Sequence, residues 1–186
     1  MIAASSLSHA DVGNGGFFID GSVGRTRLNK NFDGNFYFND TSDTGYVVNA
    51  GYRWALNPSI AIGIEGGYAR IGHFDPNGSV DFILRPAELS GLNVGVNAHI
   101  NISPRWYASV RGGYFRGDVK GSYIVSVQLP QIDVDGTSDK YYAGAGVGYN
   151  FAENMSIGLN FDRYRADLGK LNFSPYQTSI SAEYRF

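Results

Sequence analysis

The side chains of this sequence that could do chemistry together are Asp20, Arg53, Glu65, His99, Arg111, Asp162, Glu183 and Arg185, since each falls on the polar side of a segment whose other side is apolar. Gathered in a poorly hydrated space, such groups can transfer protons, line an ion path or neutralise one another. Proton transfer would centre on His99, which needs a nucleophile and an orienting carboxylate within hydrogen-bond reach. The spacing supplies no such pair. His9 lies in a terminal tail and His73 in a loop, neither with a second ligand nearby, so no metal and no cofactor are expected. Arg116-Gly117-Asp118 spells an attachment tripeptide, but a chain of this composition can contain it by chance, and its place at the top of a strand argues against adhesion through it.

Burying charges is costly unless they pair, so Asp20, Glu65, Asp162 and Glu183 are expected to be neutralised by Arg53, Arg111 and Arg185. A polar plug is the first reading of these charges and a narrow water-filled pore the second. Glu65 and Arg111 hold corresponding places in a weak repeat, Pro58 through Gly66-Gly67-Tyr68 and Pro104 through Gly112-Gly113-Tyr114. They are expected at similar depth, joined in an ion pair or shared network across Gly95, Asn93 and Asn97.

The elements that must position these residues alternate with period two, which means strands. Leu92, Val94, Val96, Ala98, Ile100 and Ile102 separate completely from Asn93, Gly95, Asn97, His99 and Asn101. Strands are expected near 16–27, 44–55, 60–70, 89–102, 106–116, 141–151, 155–165 and 177–186. Most are about ten residues long, the length a tilted strand needs to cross a bilayer. Tight turns at Leu56-Asn57-Pro58-Ser59, Ser103-Pro104-Arg105 and Ala152-Glu153-Asn154 alternate with polar excursions near 28–43, 71–88, 117–140 and 166–176. The fold class is therefore all-β: a closed antiparallel up-and-down transmembrane β-barrel of eight strands, residues 16–186, after a tail of residues 1–15. Ten strands, with residues 120–136 as a separate hairpin, is the alternative.

A soluble barrel would turn its apolar face inward, but here the opposite face carries the charges together with many Gly, Ser and Asn. The apolar face therefore meets outer-membrane lipid. Aromatic residues gather near its ends, Tyr52, Trp54, Trp106, Tyr149, Phe151, Tyr184 and Phe186 by the short turns and Tyr46, Tyr68, Tyr114 and Tyr141 by the loops, which implies two girdles. Inward glycines such as Gly63, Gly67, Gly95, Gly144, Gly146, Gly148 and Gly158 leave room for long side chains in a narrow lumen. A net charge of −2 gives no field to gather polyanions, so no nucleic-acid partner is expected. No cysteine is present, which decides nothing about compartment. Residues 1–10 lack the pattern of an export signal, which is expected to be absent or already removed.

Alternating strands, short Asn/Pro turns, Gly-Tyr strand endings and the terminal Tyr184-Arg185-Phe186 resemble the OmpA/OmpX family of small outer-membrane barrels over residues 16–186. The resemblance implies short turns in the periplasm, long loops outside the cell, and a last strand read by the outer-membrane insertion machinery through Ile180, Ala182, Tyr184 and Phe186. The chain ends on that strand, without the cell-wall-binding domain of OmpA, so an anchoring role is not expected. Lipid-modifying enzymes share this architecture, but the deacylase needs a His-x-Ser pair late in the chain, and no His follows His99. The expectation is therefore no enzyme but a structural or surface-interaction, adhesin-like role through the loops, with host or cell-surface ligands as partners. Residues Tyr123 to Leu129 are expected to continue strands above the membrane as an edge for a partner. A narrow passive porin-like channel for ions or small polar solutes is the alternative.

Overall fold

A computed structural model describes residues 15–28, 37–40, 42–77, 83–84, 87–124, 132–168 and 171–186. Most of the period-two segments fold as eight long strands: β1 Gly16–Leu28, β2 Ser42–Asn57, β3 Ile60–Asn77, β4 Ala87–Asn101, β5 Trp106–Ile124, β6 Ile132–Asn150, β7 Met155–Tyr164 and β8 Pro175–Arg185. Each pairs antiparallel with the next in the chain. β1 also pairs with β8, from Phe18 opposite Arg185 to Leu28 opposite Pro175, so the sheet closes on itself. The tail residues 1–14, with His9, lie outside the described residues.

Closure fixes a stagger. Starting at Thr26 and stepping strand by strand through Gln177, Asp162, Gly144, Arg111, Asn97, Gly63 and Arg53, the pairing returns to β1 at Gly16, ten residues from where it began. Such a shear obliges the strands to tilt, by roughly 35–45° in barrels of this kind, and leaves an interior that side chains alone can fill.

Side chains of one parity, among them Val23, Ile62, Val94, Val96, Ile157, Leu159 and Ile180, stand exposed around the outer wall, while their neighbours in sequence are buried. An apolar belt of this extent is a membrane-facing surface. The short turns are held locally. Ser59 N–H donates to Asn57 Oδ1 at 2.9 Å, and Trp106 N–H to Ser103 Oγ at 3.1 Å.

Several strands run further than the alternation indicates, since β3 ends at Asn77 rather than residue 70, β5 at Ile124 rather than 116, and β6 begins at Ile132 rather than 141. In β3 the cause is a bulge between Arg70 and Gly72, which leaves both Ile71 and Gly72 buried and breaks the alternation while the ladder continues. Gly72 takes φ +142°, a conformation that side chains disfavour. In β5 and β6 the pairing is continuous from Trp106 opposite Tyr149 to Tyr123 opposite Ile132, so the hairpin is the upper part of two barrel strands and the count is eight, not ten. Val125 to Leu129 lie outside the described residues. Short strands flank these extensions, Tyr37–Asp40 on β3 and Ile83–Leu84 on β5, and Ala166–Leu168 pairs with Leu171–Phe173.

A closed barrel has no edge from which to unravel. The protein in detergent should therefore migrate differently on gels before and after boiling, and equal mobility would count against closure. Ile62 and Val96 are 43 % and 63 % exposed on the outer wall. Substituting either by Arg should lower stability in lipid vesicles by about 2–4 kcal/mol, as read from denaturant unfolding. Silence at both sites would invert the faces.

Candidate functional site

The barrel interior collects the polar face of every strand, and glycine decides which side chains can meet across it. Arg53 and Asn97 belong to one cross-strand row with Gly63 between them, and Arg53 Nε donates to Asn97 Oδ1 at 2.8 Å. Further along the same row Gly144 separates Arg111 from Asp162. The guanidinium forks onto that carboxylate, Nε to Oδ1 at 2.7 Å and Nη2 to Oδ2 at 2.6 Å. A Cβ on Gly144 would collide with Asp162 Oδ1. Two parallel charge-assisted bonds of this kind are the strongest pairing available to a buried Arg.

A second row runs Glu65, Gly95, Gly113, Tyr142. With no side chain on either intervening residue, the Tyr142 hydroxyl reaches across two strands and donates to Glu65 Oε1 at 2.7 Å. Asn97 Nδ2 donates to Glu65 Oε2 at 2.8 Å, linking this row to Arg53. Nearer the short turns, Arg53 Nη1 lies 2.8 Å from Glu183 Oε1, its guanidinium sits 4.0 Å above the Phe18 ring, and Arg185 Nη2 donates to Asn150 Oδ1 at 2.9 Å. Arg185 Nε is 3.8 Å from Glu183 Oε1, and Arg111 Nη1 is 3.8 Å from Asp20 Oδ1.

All eight of the interior residues singled out from sequence therefore point into the lumen, and one pairing among them does not form. Glu65 and Arg111 are not bonded to each other; their partners are Tyr142 and Asn97 for the one and Asp162 for the other. Equal distance from the start of a strand does not mean equal row. The stagger places Glu65 opposite Gly95 and then Gly113, two residues beyond Arg111 on β5. His99 is buried and stacked on Tyr107, ring centroids 4.1 Å apart, and stands opposite Ser109 in the cross-strand register.

The sequence reading missed the interior aromatics. Phe18, Tyr107, Phe115, Tyr142 and Tyr164 are all buried. Tyr107 lies over Gly148, and Phe115 meets Tyr164 edge-on at 5.1 Å. Toward the loops Val47, Ala69, Ile71 and Leu89 are buried as well, together with the polar Thr26, Ser138 and Gln177. A signal was present for all of them but Tyr164. Phe17-Phe18, Trp106-Tyr107, Tyr114-Phe115 and Tyr141-Tyr142 are adjacent aromatic pairs, and period two sends one member of each inward. The space remaining among Asp20, Arg53, Glu65, His99, Arg111 and Glu183 is about 30 Å³, room for about two water molecules.

On the outer wall Trp54, Trp106, Phe151, Tyr184 and Phe186 stand exposed, with Tyr52 and Tyr149 half-buried against Trp54 and Trp106 at ring distances of 5.1 and 5.3 Å. Tyr46, Tyr68, Tyr114 and Tyr141 are exposed toward the loops. Ile180, Ala182, Tyr184 and Phe186 share the outward face at the chain's end, and Phe186 N–H donates to Phe17 O at 2.9 Å.

A closed, staggered eight-strand sheet with an apolar wall and a filled polar interior defines a small transmembrane barrel. The chain belongs to the outer-membrane β-barrel family, as the family model for the outer membrane protein beta-barrel domain matches residues 1–186. The fold is shared with Ail, the attachment invasion locus protein of Yersinia pestis, at 18 % identity and TM-score 0.61, over 93 % of this chain and 99 % of that one. It is shared also with Neisserial surface protein A, at 10 % identity and TM-score 0.60, over 91 % and 97 %, and with OprG from Pseudomonas aeruginosa, at 10 % and 0.56, over 96 % and 99 %. No curated protein matches the sequence.

The Arg111–Asp162 pair is open to a thermodynamic cycle. Asp162→Asn and Arg111→Gln should each cost about 3–5 kcal/mol by leaving a buried charge alone. The double substitution should cost less than the sum, whereas Glu65→Gln with Arg111→Gln should come closer to additive. Additivity at Arg111 and Asp162 would overturn the pairing.

Proposed function

We propose that this protein is a surface-interaction barrel, adhesin-like, whose filled interior is a support rather than a path. The observation that carries the reading is the filling itself. Arg53, Arg111 and Arg185 are set against carboxylates, Glu65 is hydrogen-bonded to Tyr142 and Asn97, buried aromatic and aliphatic side chains lie toward the loops, and the cavity among the charges is about 30 Å³. In this reading the short turns face the periplasm and the loops the outside, and the outward residues of β8, Ile180, Ala182, Tyr184 and Phe186, present the insertion signal.

The strand extensions supply the binding element. Above Tyr142 opposite Tyr164, β6 continues in register with β5 up to Tyr123 opposite Ile132. In this reading the paired strands that rise beyond the membrane-facing wall form the surface that meets a partner. The fold of Ail, a protein named for attachment and invasion and solved in complex with the heparin analogue sucrose octasulfate, is compatible with a ligand held at such loops.

Purified protein in planar bilayers should show no unitary conductance, and cells displaying it should gain adherence to epithelial monolayers that is lost when the loops are shaved by protease. Steady single-channel currents with unchanged adherence would favour the channel instead.

A further inference from the structure

Beyond the loop-side end of the apolar belt, charge is distributed unevenly around the outer wall. On the β3 to β6 side, cations are neutralised from the neighbouring strand: Arg70 Nε lies 2.7 Å from Glu88 Oε1, and Arg116 Nε 3.8 Å from Asp139 Oδ1. On β1, β7 and just past β7, Arg25, Arg27, Arg163 and Arg165 are all exposed, and none takes part in an ion pair among the described residues.

The register gathers these arginines. Arg27 stands opposite Tyr176 of β8, and Tyr176 opposite Arg163 of β7. Strands two apart in a sheet are separated by about 10 Å, so two long side chains flank one phenol. Arg25 Nε donates to Ser42 Oγ at 2.8 Å and Arg163 Nη2 to Ser174 Oγ at 3.2 Å, hydroxyls that orient a guanidinium without cancelling its charge. The Arg165 guanidinium lies 4.9 Å from the Tyr141 ring, and Tyr176 packs on Phe161 at 5.7 Å. Directly below, Val23, Leu159, Phe161 and Ile180 are exposed on the membrane-facing wall. The guanidinium groups therefore stand where hydrocarbon gives way to headgroups.

We propose that this arginine face of β7, β8 and β1 binds the phosphate monoesters of a phosphorylated glycolipid headgroup, held by Arg27 and Arg163 on either side of Tyr176. Guanidinium forks match phosphate oxygens, and Arg is the residue suited to that contact. Four un-neutralised cations suit a headgroup with more than one doubly charged phosphate better than a single phosphodiester. The face continues without a break into the apolar wall, which would carry the lipid's acyl chains and which a soluble anion would not use.

The test is native mass spectrometry of the folded protein released from detergent micelles, titrated with bisphosphorylated lipid A and, in parallel, with phosphatidylglycerol, inorganic phosphate and sucrose octasulfate. Lipid A should bind at least tenfold more tightly than each of the others. The double variant R27Q/R163Q should lose tenfold or more in lipid A affinity, R27K/R163K should fall between, and R116Q, on the neutralised side, should match the unsubstituted protein. Unchanged binding by R27Q/R163Q, an equal loss in R116Q, or equal affinity for phosphatidylglycerol or for either soluble anion would overturn the proposal. The boiling-dependent gel shift reports folding of each variant, and R27K/R163K carries the comparison if the glutamine variant fails to fold.

Discussion

Everything inside this molecule depends on the stagger imposed when β1 meets β8. A sheet of eight strands that closes ten residues out of step has a fixed, small cross-section. Inward side chains on adjacent strands then compete for the same volume. The competition is settled row by row, with glycine yielding space to whatever reaches across it: Gly63 between Arg53 and Asn97, Gly144 between Arg111 and Asp162, Gly95 and Gly113 between Glu65 and Tyr142. Glycine usually weakens a strand, but here the ladder is held from both sides and the missing side chain is the feature that lets a buried charge find its partner.

That dependence explains what could be read from the residues and what could not. Parity is local, so the inward placement of Asp20, Glu65, Arg111 and Asp162, and the outward placement of Ile62 and Val96, follow from alternation alone. Strand number and the short turns are legible for the same reason, since Pro58 and Pro104 fall between alternating runs. Partner choice is not local. It depends on the cumulative register around the barrel, and an error of two residues moves Glu65 from Arg111 to Tyr142. Strand ends suffered differently. The bulge at Arg70–Gly72 ends the alternation but not the hydrogen bonding, so a reading based on side-chain period stops where the pairing does not.

The interior aromatics show a further limit. Tyr114 and Phe115 look alike by composition, and both suggest a membrane girdle, yet one is exposed on the outer wall and the other buried against Tyr164. Their adjacency is the informative feature, because two neighbours on a strand must face opposite ways. Taken with Phe18, Tyr107 and Tyr142, they make the core of this barrel part ionic and part aromatic. The aromatic part takes up interior space beside the ion pairs and leaves only a small cavity among them. A low-dielectric neighbourhood strengthens each pair and raises the cost of leaving any one charge unmatched, so the two halves of the interior constrain each other.

The outer wall obeys a different rule. A charge facing solvent or headgroups needs no partner for the barrel to stand, and a surface ion pair contributes little to stability. Pairing of Arg70 with Glu88 and of Arg116 with Asp139 is therefore optional for the fold, as is the absence, among the described residues, of an ion pair at Arg27 and Arg163. Inside, where an unmatched cation would cost several kcal/mol, the arrangement of charge reports on stability. Outside, where it would cost almost nothing, an arrangement that concentrates arginine on one side of the wall and neutralises it on the other has no structural cause in the barrel, and its cause is sought in what the wall touches.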